Sequence, residues 1–99
     1  MSWSVDISPD ARRDILRIRK YLAKQSRGAP VLFLLRFREK ELALENHPYA
    51  FAKIGASARF CKLRKMKYTI FFEILPGNRI EIFAVLHSSR SAKHWLKRI

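Results

Sequence analysis

Residues 60–90 read FCKLRKMKYTIFFEILPGNRIEIFAVLHSSR, and this stretch predicts three consecutive β-strands joined by two short turns. The three segments Phe60–Arg64, Tyr68–Ile74 and Ile80–His87 each divide into two alternating sets of side chains, as on the two faces of a strand. A period of two is typical of strands, and Pro76-Gly77-Asn78 is a strong turn signal. Short connections between successive strands favour an antiparallel meander. The second and third strands carry apolar residues on both faces, which places them in the centre of the sheet.

Three elements are predicted ahead of the meander. Alternation around Trp3–Ile7 predicts a short strand with one buried face. Ser8 suits the N-cap of a first helix from about Pro9 to about Ala23, and a second helix should run from about Pro30 to about Asn46. A short break between two helices predicts an antiparallel helical hairpin.

Each predicted helix has an apolar face and a polar face. The first helix carries an apolar stripe at steps of three and four, formed by Ala11, Ile15, Ile18 and Leu22. Its basic residues form either a phosphate- or partner-binding face or an ordinary solvated face: Arg12, Arg13, Arg17, Arg19 and Lys20. The second helix carries a broad apolar face that should touch both the first helix and the sheet, formed by Val31, Leu34, Leu35, Leu42 and Phe33 or Phe37.

The remaining segments complete the predicted fold. Residues 49–58 read as a loop, and Ser91 begins a short basic helix that should dock through Trp95 and Leu96. The expected fold class is α+β, in the order β-α-α-β-β-β with a short C-terminal helix and an antiparallel sheet covered by the helical hairpin.

Length and charge limit the possible functions. The 99 residues suffice for one domain, residues 1–99, and a hydrophobic fraction of 48% argues against a mainly disordered chain. Lys and Arg number 21 against 8 Asp and Glu, a formal net charge of +13. Such a charge predicts a polyanionic partner, which could be nucleic acid, a nucleic-acid machine, an anionic membrane or an acidic protein.

The cysteine count and the apolar runs point to a cytoplasmic protein. Cys61 is the only cysteine, so the sequence predicts no internal disulfide and a reducing compartment. Residues 1–8 do not resemble a signal peptide, and the longest apolar run, Val31–Leu35, is too short to span a membrane. We therefore expect no membrane-spanning segment, and among the polyanionic partners named above we do not expect the membrane.

The residues favour phosphate chemistry over metal or cofactor chemistry. His47, His87 and His94 lack a metal-binding spacing, no Gly-rich phosphate loop occurs, and no cofactor is expected. Cations gather on the first meander strand and near the chain end, at Lys62, Arg64, Arg90, His94, Lys97 and Arg98. If both groups face one side, they form a concave basic surface that could hold phosphates or cleave RNA without metal, with His94 as acid–base. The alternative is that His94 is merely exposed on a fraying helix.

The order of elements resembles the RelE/ParE family of bacterial toxins. The run Tyr68–Ile74 looks like the family's third strand, and Ile80–Arg90 looks like its fourth strand followed by a histidine-x-x-arginine signature. Pro48-Tyr49 also resembles family members. The resemblance implies the toxin of a type II toxin–antitoxin pair, neutralised by a cognate acidic antitoxin that folds on binding.

The resemblance also implies two possible targets. RelE-like members cut messenger RNA on the ribosome, whereas ParE-like members poison DNA gyrase. Lys62 matches a lysine of the RNA-cleaving branch, and His94 falls near its terminal acid–base residue. Thr69 stands where that branch has an arginine, and Ser88 replaces a second arginine, with Arg90 two residues later. These departures favour the ParE-like branch.

Three hypotheses follow from these observations. In the first, the chain is a gyrase-directed toxin and not an enzyme, whose target-binding residues are Arg90, Lys93, Trp95, Lys97 and Arg98. In the second, it is a metal-independent ribonuclease that uses Arg64, Arg90 and His94, with Lys62 in support. In the third, it is a nucleic-acid-binding module that shares only the fold.

Overall fold

The computed structural model describes residues 2–89 and Arg98. The elements along the chain are β1 (Ser4–Ile7), α1 (Pro9–Gln25), α2 (Ala29–Asn46), a 3-10 helix (Pro48–Ala50), β2 (Lys53–Ile54), β3 (Ala58–Lys62), β4 (Tyr68–Leu75) and β5 (Arg79–His87). The strands form one sheet in the order β1-β5-β4-β3-β2, and α1 and α2 pack on one of its faces. This architecture confirms the predicted α+β fold, with the meander at its centre. The predicted C-terminal helix from Ser91 lies outside the described residues.

Two details of the sheet differ from the prediction. The segment read as a loop contains β2, in which Lys53 pairs with Arg59 and Ile54 with Ala58, so the sheet gains an edge strand. The strand β1 runs parallel to β5, with Val5 opposite Ile80, whereas an antiparallel sheet was expected. Parallel neighbours need a long crossover between them. The chain from β1 through the helical hairpin and the meander provides that crossover.

The strand register divides the sheet into two faces. The hairpin face, which α1 and α2 cover, carries Tyr68, Ile70, Phe72, Ile82 and Val85. The opposite face carries Phe60, Lys62, Thr69, Ala84 and Leu86. Every residue of β5 from Ile82 to Leu86 is buried, as the apolar pattern on both of its faces predicted.

Helix α1 begins and packs as its sequence predicted. The Ser8 hydroxyl accepts a hydrogen bond from the Ala11 backbone N–H at 3.1 Å, which satisfies one of the free donors of the first turn. Ala11, Ile18 and Leu22 are buried against the sheet. The helix also buries an acidic residue, Asp14, which the apolar stripe did not anticipate.

Helix α2 buries fewer of its apolar residues than predicted. Phe33, Phe37 and Leu44 pack into the core, and they share one face of the helix. Four other members of the predicted core face are exposed, namely Val31 (60%), Leu34 (40%), Leu35 (59%) and Leu42 (44%). The prediction for these four was wrong. A helix that is apolar nearly all round can turn only one face to the sheet, and here the larger aromatic side chains take that position.

None of the described helices combines the length and the apolar character needed to cross a membrane.

Candidate functional site

The two cations predicted on the first meander strand lie on different sides of the molecule. Lys62 ends β3 and is exposed on the opposite face. Its neighbour across the sheet is Thr69 on β4, which in turn lies opposite Leu86 on β5. Thr69 and Leu86 are both buried. Lys62 therefore stands at the end of a row whose other members are uncharged.

Arg64 is bound on the hairpin side. Its guanidinium donates to Glu39 of α2 at 3.0 Å, and Arg36 donates to the same carboxylate oxygen at 2.9 Å. The hydrogen bond from Arg64 is the main cause that holds the pKa of Glu39 below its ordinary value. The same contact raises the pKa of Arg64. The structure thus does not bring Arg64 together with Lys62 on one concave surface.

Most of the residues predicted near the chain end fall outside the described part of the chain. Arg90, Lys93, His94, Trp95 and Lys97 all belong to this group. Their proposed roles in target binding or catalysis stay predictions. Arg98 is described, and its contacts are given next.

Arg98 forms a partly buried charge cluster around Asp14, which is itself buried. Its two terminal nitrogens donate to the two Asp14 carboxylate oxygens at 2.6 and 3.2 Å, and it also donates to the Phe83 carbonyl at 3.2 Å. Arg17 donates to Asp14 from the next turn of α1 at 2.5 Å. The hydrogen bond to Asp14 is the main cause that raises the pKa of Arg98. The guanidinium of Arg98, predicted to bind a target, is therefore engaged within the chain.

The backbone of β5 explains why an acidic residue is buried here. The pairing of β1 with β5 ends at Ile82, and further along the edge Asp14 accepts the Val85 N–H at 2.9 Å. A buried N–H without a partner is costly, so the carboxylate takes over where β1 stops. Asp14 was missed from the sequence. Its position between Ala11 and Ile18 on the apolar stripe was the available signal, because a lone acid on such a stripe needs a partner.

A cavity of about 450 Å³ lies between α1 and the adjoining ends of β4 and β5. We call it the α1–β5 cavity. Its lining includes Asp14, Arg17, Tyr21, Tyr68, His87 and Ser89. Sequence reasoning did not group these residues, because α1 and the strand ends are far apart along the chain.

A second cavity, of about 410 Å³, is a groove between α1 and α2, beside the end of β1. We call it the hairpin groove. Its walls are largely apolar, with Ile15 and Leu16 from α1 and Leu34 and Phe37 from α2. Charged residues line it as well, and these are the basic Arg12 and Arg19 and the acidic Glu41. The arrangement suits an apolar helix or strand that also carries acidic side chains.

Neither thiol nor metal chemistry is indicated by the described residues. Burial raises the pKa of the Cys61 thiol to about 12, which keeps it protonated at neutral pH. Within residues 2–89 and Arg98, no group of three or more His, Cys, Asp or Glu residues could hold a metal ion.

Comparison with known families gives one match that spans most of the chain. The family described as the ParE toxin of type II toxin-antitoxin system, parDE, matches residues 5–92. No curated protein matches the sequence.

The fold also matches solved structures. The chromosomal ParDE toxin–antitoxin system from P. aeruginosa superposes with a TM-score of 0.70 at 15% identity, covering 87% of this chain and 96% of that chain. A free E. coli RelE toxin with two arginines replaced by alanine gives 0.68 at 13% identity, covering 99% and 95%. The same RelE variant bound to a peptide of the antitoxin RelB gives 0.55 at 14% identity, covering 100% and 96%. At these identities the likeness shows the fold.

Proposed function

The chain belongs to the ParE toxin family of type II toxin–antitoxin systems, and from this premise we propose that it inhibits DNA gyrase and is neutralised by an acidic antitoxin. As a working unit we take residues 1–99 as one toxin domain acting in the cytoplasm. The proposal has two parts, the antitoxin and the target, and different observations support them.

The hairpin groove supports an antitoxin that folds on binding. Leu16 and Leu34 face solvent at 53% and 40% exposure, although apolar side chains are stabilised by burial. The lining also includes two basic residues, Arg12 and Arg19, against one acidic residue, Glu41, in a chain of net charge +13. An acidic, amphipathic segment would cover the leucines and neutralise the arginines. In the solved structures of similar fold, ParDE and RelE with a RelB peptide, the toxins are bound by antitoxins.

The residues around Lys62 support gyrase inhibition over RNA cleavage as the proposed function. Stabilising the charge of a phosphorane needs several cations around one phosphate. The residues beside Lys62 across the sheet are Thr69 and Leu86, and Arg64 is bound to Glu39 on the other side. Within residues 2–89, Lys62 is the one cation of this row, and such a row alone is poorly equipped for RNA cleavage. A binding toxin has no such requirement.

Supercoiling by purified gyrase tests the proposal. We expect the purified chain to inhibit supercoiling or to accumulate cleaved DNA, and we expect the antitoxin to abolish the effect. The contact residues we propose are Arg90, Lys93, Trp95 and Lys97, with Arg98 in addition if its pairing with Asp14 opens. Full gyrase activity at a large excess of the chain would overturn the choice of target.

A ribosome-dependent ribonuclease is the alternative, and the exposure of Lys62 on the opposite face is the observation that favours it. Arg90 and His94 would complete such a site, since Arg64 is bound to Glu39 on the hairpin side. In this case messenger RNA is cleaved on translating ribosomes, and His94→Ala abolishes the cleavage. Intact messenger RNA in a translation reaction that contains the wild-type chain would exclude this function.

A further inference from the structure

The α1–β5 cavity combines hydrogen-bond donors with an excess of positive charge. Asp14 is its acidic member, and both of its oxygens are already occupied by Arg17, Arg98 and the Val85 N–H. Arg98 also lies 4.0 Å from Asp10, which pairs with Arg13, so three guanidiniums face two carboxylates and leave a local charge of +1. The cavity therefore favours an anion over a cation.

Tyr68 gives the cavity an aromatic ring and a hydroxyl that can donate a hydrogen bond. The residue is 7% exposed, and its ring packs edge-on against Phe33 and His87, with centroids 5.6 and 5.3 Å apart. Tyr68 lines the cavity, so a bound acceptor atom can take the hydrogen bond that its hydroxyl offers to solvent.

His87 adds a donor of defined tautomer. The backbone N–H of Ser89 donates to His87 Nδ1 at 3.1 Å, and the Ser89 hydroxyl lies 2.8 Å from the same nitrogen. Since Nδ1 accepts, the proton of the neutral ring resides on Nε2. His87 thus supplies a donor to the cavity that it lines.

The remaining lining suits a flat ring. Ile18 and Val85 form apolar surface, and Tyr21 supplies an aromatic ring that is 56% exposed at the entrance. A volume of about 450 Å³ lies in the usual range for small-molecule sites, roughly 300–1,000 Å³. A planar ring rich in acceptors and joined to an anionic group meets all of these conditions.

We propose that the α1–β5 cavity binds a nucleoside monophosphate, with the phosphate against Arg17 and the base against Tyr21 and Tyr68. The ligand could be a free nucleotide or one unit of a single-stranded nucleic acid. The site is distinct from the opposite face of the sheet, where Lys62 lies, and it does not depend on gyrase being the target. Failure of the gyrase assay and failure of nucleotide binding are therefore separate results.

Calorimetric titration of the whole chain with adenosine 5′-monophosphate tests the proposal. We expect saturable binding that is about tenfold weaker in Tyr68→Phe, because the variant removes one hydrogen-bond donor and keeps the ring. Tyr49→Phe is its control, since Tyr49 is exposed on the 3-10 helix and does not line the cavity. We expect Tyr49→Phe to bind like the wild type.

Arg17 and Arg13 provide a matched pair for the phosphate. Both lie on α1, their side chains are 64% and 63% exposed, and each pairs with an aspartate three residues earlier. Only Arg17 lines the cavity. Arg17→Gln should weaken nucleotide binding about tenfold, whereas Arg13→Gln should change it by less than about twofold. Equal losses in the two variants would mean general electrostatic attraction and would overturn the proposal.

Two further ligands complete the test. Inorganic phosphate binding as tightly as the nucleotide would indicate an anion site alone and would also overturn the proposal. A short single-stranded oligonucleotide that competes with the nucleotide identifies a unit of a strand as the ligand, and an oligonucleotide that does not compete identifies a free nucleotide. If the folded chain binds neither the nucleotide nor the oligonucleotide in a saturable way, the proposal is contradicted outright.

Discussion

Each helix of the hairpin carries residues that do not fit a simple apolar face, and the two helices differ in where those residues find contacts. Helix α1 buries an acid, Asp14, and the chain itself supplies every partner of that carboxylate. Helix α2 leaves Val31, Leu34 and Leu35 exposed. In this hairpin, a polar residue within an apolar stripe indicates a contact inside the molecule. Apolar residues that stay exposed indicate a contact with a binding partner.

The largest expected effect is on the stability that α1 provides. Asp14→Ala removes the partner of Arg98 and of the Val85 N–H, so we expect the free energy of unfolding to fall by about 3 kcal/mol. Asp10→Ala is the control, because Asp10 lies on the same helix and its side chain is 49% exposed. Urea denaturation of both variants measures the difference. Equal unfolding midpoints would show that the buried cluster contributes no more than a surface ion pair.

The next largest effect is expected on the affinity of α2 for the antitoxin. Leu34→Glu places a carboxylate in the hairpin groove, and we expect the affinity for the antitoxin to fall about a hundredfold, with little change in stability. Leu35→Glu carries the same change on a neighbouring exposed residue that does not line the groove. Surface plasmon resonance with the antitoxin compares the two. Similar affinities for both variants would remove the groove from the interface.

A smaller effect is expected on the stability at alkaline pH, through Cys61 in the sheet beneath α2. Burial raises the pKa of the Cys61 thiol to about 12, above its ordinary value of 9.0. The unfolded chain therefore loses this proton first, and the stabilisation present below pH 9 declines as the pH rises towards 12. Between pH 8 and pH 10 the wild type should lose about 1 kcal/mol relative to Cys61→Ala. Parallel pH dependence of the two proteins in urea denaturation would contradict a buried, protonated thiol.

The smallest effect is expected at the surface of α2. Arg64→Ala removes a contact between exposed side chains, so the melting temperature should change only slightly. Arg64 lowers the pKa of Glu39, so the contribution of the pair is present above the ordinary carboxylate range and is lost as the pH falls. The small difference between variant and wild type should vanish in acid. A difference that persists in acid would mean that Arg64 acts through packing instead.

The sequence predicted those parts of the fold that depend on local pattern. Alternation identified the central strands β4 and β5, and Ser8 marked the start of α1. The parallel pairing of β1 was not predictable in this way, because it depends on which edge of the sheet the chain returns to. The exposed face of α2 was missed because periodicity cannot tell which of several apolar faces meets the core.

The candidate sites were harder to predict than the fold. Lys62 and Arg64 are close in sequence, yet β3 ends between them and the structure directs them to different sides. Asp14 and Arg98 are distant in sequence and lie in direct contact. Only tertiary structure brings such residues together or separates them, so charge clusters read from a sequence are poor predictors of sites.

Inducing the chain in growing cells, without its antitoxin, tests the proposed function most directly. Labelled thymidine and labelled methionine, added at intervals after induction, report DNA and protein synthesis in the same culture. A gyrase-directed toxin predicts that thymidine incorporation stops first, while methionine incorporation continues. Loss of methionine incorporation before any change in thymidine incorporation would contradict the account and favour cleavage of messenger RNA.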